Sequence, residues 1–177
     1  MEKQLITEKL KVNHQNFADY VLSLNENDFT FSIDQKWTAG QQLDHILRGV
    51  SPVQMALTLP KFVPKLLFGK TNRSSLDYNS LVSTYQGKLA AGSKASRKFI
   101  PPIINFDQGE VLRNKLLKTV KSLCQKINKY SENQLDEYLL PHPILGKLTV
   151  REMLYFTIYH VEHHHLAVKR NLEKKYE

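Results

Sequence analysis

TVREMLYFTIYHVEHHHLAV, residues 149–168, decides what kind of protein this is. Thr149 and Glu152 stand at the spacing of a capping box, so a helix starts here. From Met153 onward the apolar residues recur at helical intervals. At about 100° per residue, with His160 set at zero, Met153, His164, Thr157, Val168 and Val161 all fall within about 100° on one side. Phe156 and Ala167 lie about 20–40° to the other side. His160 and His164 are thus inside the buried stripe. His163 and His165 fall at its two edges, as rim or solvated residues, and Glu162 points the opposite way.

Two imidazoles one turn apart on a buried face must satisfy their ring nitrogens. Spacing i, i+4 aims both at one point, which is how a helix presents histidine to a metal ion. We therefore expect a divalent metal on His160 and His164. A pair of hydrogen-bonded core histidines is the plainer reading of the same spacing. The patterns H-E-x-x-H and H-x-x-E-H are excluded, because Glu162 follows His160 by two residues and faces away. The chain also carries no P-loop, no dinucleotide-binding glycine fingerprint and no nucleophile elbow.

Working outward from that helix, Leu145 to Leu148 reads as a turn. Pro141-His142-Pro143 ends a short helix that Ser131 and Gln134 cap and that reaches about Leu139. Asp107, with Glu110 three positions on, is expected to cap a long helix through Ile127. Cys124 falls on the apolar stripe of that helix and reads as a small core residue. Residues 59–106 are broken by Pro60, Pro64, Gly69, Gly87, Gly92, Pro101 and Pro102. They read as a long connection crossing the domain, with one helix over 76–91 inside it. Thr38 and Gln41 form a capping box for another long helix, with Trp37 as a hydrophobic staple and Pro52 kinking or ending it. Residues 3–25 form the first helix, and a polar turn and a short extended piece follow. The pattern is all-α: an antiparallel four-helix bundle with a long crossover between helices 2 and 3, in a single domain over residues 1–177.

Composition agrees. The chain has 177 residues, 41% hydrophobic and 24% charged, as in ordinary soluble globular domains. The first twenty-five residues are polar and charged, and no apolar run approaches the roughly 18 residues that span a bilayer, so no secretory signal and no membrane are expected. The single cysteine excludes an internal disulfide and cysteine-rich metal patterns, and fits a cytoplasmic setting. Any metal site must be built from histidine and carboxylate. The net charge of +8 is spread along the whole chain, which argues against nucleic acid as a partner.

His14, His45 and His142 remain as candidates for a third ligand. His142 lies between two prolines, and His14 stands alone on the first helix. His45 sits at the edge of its helix's apolar stripe, with Gln41, Gly49 and Ala56 on its own face. Small neighbours beside a polar group leave room for a pocket. Spacing does not choose among the three. Gln41 and Asp44 are candidates to hold a ligand imidazole from behind.

Three features together resemble the DinB/YfiT-like family: the segment Trp37…His45, the turn Leu145-Gly146-Lys147-Leu148-Thr149, and the cluster His160-x-x-His163-His164. The stretch Tyr85…Gly92…Lys94-Ala95…Phe99…Pro101 is also similar to bacterial members. The resemblance runs from the first helix through the last. It implies a four-helix bundle with a long crossover, often dimeric, and a three-histidine site for a divalent ion such as zinc or nickel. Matched residue by residue, it implies His45, His160 and His164 as the ligands. Some relatives are thiol transferases using low-molecular-weight thiols such as bacillithiol or mycothiol, and others resemble hydrolases or isomerases. The expectation is a metal-dependent enzyme of the thiol-transferase or hydrolase type acting on a small-molecule substrate, as a homodimer. The alternatives are a non-catalytic metal-binding or stress-related interaction protein, and a helical protein whose histidines are core residues only.

Overall fold

The computed structural model describes residues 1–71 and 73–177. Four long helices carry the chain: α1 (Lys3–Leu22), α3 (Ala39–Thr58), α6 (Gly109–Ile127) and α8 (Val150–Tyr176). Shorter helices lie between them: α2 (Glu26–Phe29), α4 (Phe62–Phe68), α5 (Tyr78–Ala90) and α7 (Glu132–Glu137). A hairpin of β1 (Leu139–His142) and β2 (Gly146–Thr149) precedes α8. The long helices close a ring in the order α1, α6, α3, α8, so the first two in sequence sit diagonally. α3 and α6 pack side by side in that ring although the long crossover separates them in sequence. The fold is all-α, as expected.

Local chemistry places the ends. α1 stops at Leu22, short of the expected residue 25: the Ser23 hydroxyl closes its last turn on the Tyr20 carbonyl and the chain is extended by Asn25. The Asn25 side chain accepts from the Asp28 N–H at 3.0 Å, which starts the one-turn helix α2 where a turn was expected. α2 delivers Phe29, fully buried, between the first turns of α3 and α6. A Cβ on Gly40 would come within 2.7 Å of the Phe29 ring, and one on Gly109 within 3.1 Å. The two glycines are what let the helix ends close on that ring.

The Thr38–Gln41 capping box starts α3 as read. Pro52 does not end the helix, which continues to Thr58 and buries Val53 and Leu57. Pro64 likewise falls in the first turn of α4, where a missing N–H costs little. The start of α6 differs from expectation. Asn105 and Gln108 form the reciprocal cap around a short 3₁₀ turn, Phe106–Gln108, and Asp107 lies inside that turn. Ser131 and Gln134 cap α7, which stops at Glu137 because the chain then pairs as β1 with β2. Leu140 faces Leu148 across this ladder and both are buried, an apolar pair that the flanking prolines hid. The Thr149–Glu152 capping box opens α8. Cys124 is a core residue as read; burial pushes its thiol up to about 11. No helix among the described residues is long and apolar enough to cross a membrane.

The crossover is tied to the start of α8. The Glu152 carboxylate is fully buried and accepts from both terminal nitrogens of Arg73, at 2.5 and 2.8 Å. The Leu76 and Thr149 N–H groups also donate to it, each at 2.8 Å.

Candidate metal centre

The inner face of α8 places His160 and His164 one turn apart, and α3 places His45 opposite them. The three are only 5–8% exposed. His45 Nε2 lies 3.2 Å from His160 Nε2, and His164 Nε2 lies 3.0 Å from the same atom. One ligand nitrogen from each histidine falls within 4.8 Å of the other two.

The far side of two rings determines what faces inward. His45 Nδ1 is 2.7 Å from the Phe99 carbonyl, which only accepts, so Nδ1 carries the proton. His164 Nδ1 meets Gln42 Oε1. The other end of that amide donates to the Trp37 carbonyl at 3.5 Å, which orients the oxygen toward His164. Both rings therefore turn an Nε2 lone pair toward His160. A single proton on His160 Nε2 can satisfy one of them and not both.

Burial lowers the pKa of His45, and takes those of His160 and His164 well below the ordinary value, so the cluster is neutral at pH 7. Three neutral imidazoles with converging lone pairs form a donor set for a cation, and this group could hold a metal ion. Aromatic rings brace it: Trp37 packs on His45 at 4.7 Å between centroids, and Phe156 stacks on His160 at 4.8 Å. Trp37 thus walls the site.

The triad lines a cavity of about 380 Å³. Gly49, Val53 and Ala56 of α3, Met153 and Phe156 of α8, Phe99 of the crossover and Leu140 of β1 supply apolar wall. The small residues beside His45 do make room, as their sequence suggested. Tyr85, Lys98, His142 and His163 also face the cavity, and among the described residues no Asp or Glu lines it.

The remaining candidates separate cleanly. His163 is half-buried on the cavity wall, and His165 packs between Phe17 and Tyr20. His14 is buried on α1, where Nδ1–H donates to the Leu10 carbonyl, and His142 lines the cavity; neither joins the ligand group. Glu162 faces α1 and α5, accepting from Asn13 Nδ2 at 2.5 Å and the Tyr78 hydroxyl at 3.2 Å. The two residues expected behind the ligands are elsewhere. Gln41 closes the capping box at Thr38, and Asp44 pairs with Arg48 at 2.5 Å. Gln42 and the Phe99 carbonyl take that role instead. Gln42 stands three residues before His45 on the same helix face, a spacing that could have found it. A backbone carbonyl 54 residues away leaves no such trace.

No curated protein and no solved structure matches the chain. A family model described as the DinB superfamily matches residues 9–168, a span that includes His45, His160 and His164. With that match over most of its length, the chain belongs to the DinB superfamily.

Proposed function

We propose that this protein is a metal-dependent enzyme in which His45, His160 and His164 hold one divalent ion, zinc or nickel, through their Nε2 atoms. The observation that carries the reading is the pair of lone pairs fixed by Phe99 and Gln42 and aimed at His160. Imidazole ligands suit both metals. An ion held there supplies Lewis acidity and lowers the pKa of a water or thiol beside it.

The chain's own groups do the rest. Burial keeps the three imidazoles free of competing protons, and the Phe99 carbonyl and the Gln42 amide hold two of them in the metal-binding tautomer. The cavity admits a small-molecule substrate, and its apolar wall limits water. Burial pushes the Tyr85 phenol up to about 12, so it stays a hydrogen-bond donor. With no carboxylate on the wall, His163 is the side chain placed to accept a proton. That inventory favours a thiol S-transferase, which needs little more than a deprotonated low-molecular-weight thiol, over a hydrolase.

We read residues 1–177 as one domain working as a homodimer in the cytoplasm. Exposed Met55, Phe62 and Leu66, at 64–83%, supply apolar surface for a dimer contact. Elemental analysis of the purified protein, with His160→Ala as control, tests the metal; light scattering tests the dimer. A screen for thiol transfer and hydrolysis with and without chelator tests the chemistry. Bound metal with no chelator-sensitive activity leaves a non-catalytic metal-binding protein.

A further inference from the structure

His142, at the end of β1, is held differently from the three clustered histidines. Its Nδ1 accepts the backbone N–H groups of Ile144 and Leu145, at 3.2 and 3.0 Å. A nitrogen that accepts two N–H groups carries no proton, so in the neutral ring the proton is on Nε2. Burial keeps the ring neutral, lowering its pKa to about 4. The residue is 9% exposed and lines the cavity. Among the described residues nothing accepts from its Nε2–H. This is a donor of fixed tautomer, nine-tenths buried, on the wall of an apolar cavity.

Phe156 relates it to the triad. The His142 ring packs edge-on against Phe156 at 4.2 Å between centroids, and Phe156 stacks on His160 at 4.8 Å. His142 and His160 therefore contact the same aromatic ring and line the same cavity. Val53, Met153, Phe156 and Leu140 give that cavity its apolar wall. No carboxylate is present to receive an amine, whereas Tyr85 and Lys98 are further donors.

We infer that the cavity takes a two-headed small molecule: an electron-rich group toward the three histidines, a short apolar spacer, and a carbonyl, carboxamide or carboxylate oxygen that accepts from His142 Nε2–H. The inference deepens the metal-site reading and rests on it for the first head. His142 is then a specificity-determining residue for the second.

The test uses zinc-loaded full-length protein and two probes, hexanohydroxamate and its analogue whose terminal methyl is replaced by a carboxamide. Calorimetry on the wild type is expected to show the carboxamide probe binding about tenfold more tightly, the size of one hydrogen bond to a buried donor. In His142→Asn the amide oxygen stands where Nδ1 was and keeps the turn at Ile144 and Leu145, while the shorter side chain places no donor at the Nε2 position; the preference collapses. In His142→Gln the amide N–H₂ stands where Nε2 was, and the preference is retained. Zinc content is unchanged in both variants. No preference in the wild type, or a preference that survives in His142→Asn, overturns the inference while the metal reading stands. Wild-type protein that takes up no zinc overturns both, and the elemental analysis tells the two failures apart.

Discussion

Gln42 Oε1 accepts the Nδ1–H of His164 across the seam between α3 and α8. This places the orienting group on the helix opposite the one it orients. Gln42→Leu keeps the bulk and removes the acceptor, freeing His164 to take either tautomer. We expect zinc affinity to fall about 10–100-fold, the usual effect of losing such a partner, with melting behaviour little changed. Competition against a chromogenic chelator measures it, and an unchanged affinity would show that Gln42 is a packing residue only.

Two glycines on α3 should respond oppositely to alanine. Gly40→Ala drives a methyl into the fully buried Phe29 ring, and overpacking of this kind costs about 1–3 kcal/mol. Gly49→Ala meets only the edge of His160, at 3.4 Å, an ordinary contact. There the helix gains about 0.5–1 kcal/mol from losing a flexible interior glycine. Denaturant melts of the two variants should bracket the wild type.

His14 makes stability depend on pH. The unfolded chain protonates it near 6.5, whereas burial lowers the folded value to about 4. Its contribution is fully present above 6.5, is lost as pH falls through that window, and levels off below about 4. At 1.36 kcal/mol per pKa unit the loss is about 3 kcal/mol. Its Nε2 is buried without a partner, so His14→Leu should be no less stable than wild type at pH 7. Urea titrations between pH 7 and pH 4.5 should show the variant losing stability less steeply; parallel slopes would refute the assignment.

Arg73 anchors the crossover. Burial raises the Glu152 pKa, but Arg73 and the Leu76 and Thr149 N–H groups outweigh it and hold the carboxyl below its usual range. Arg73→Ala strands that carboxylate with backbone donors alone. We expect a cost of about 2–3 kcal/mol, and faster proteolysis between α4 and α5. Arg73→Lys should recover only part of the loss, because it cannot reproduce the paired contacts.

How much of this was legible depended on where each signal is stored. Periodicity alone separated His160 and His164 from His163 and His165, because burial on a helix follows angle. The boxes at Thr38, Ser131 and Thr149 were readable because both partners lie within four residues. His45 needed family resemblance, since the meeting of α3 with α8 is a tertiary event. Beyond its spacing to His45, nothing in the local sequence distinguishes Gln42 from Gln41 and Asp44, whose side chains are spent at Thr38 and Arg48. The hairpin escaped notice because Pro141 and Pro143 break any strand pattern, although a two-stranded ladder tolerates them at its edge. His142 was weighed as a ligand, but its tautomer depends on two backbone N–H groups that no sequence pattern displays.

The carbonyl that holds His45 belongs to residue 99 whatever side chain stands there. No substitution at that position deletes it; only a shift of the backbone can. Substitutions at Ser96, Lys98 and Phe99, which border the cavity, therefore reshape its wall while His45 keeps its carbonyl partner. The reagent is held by the bundle and by main chain, and the side chains of the crossover set only what reaches it.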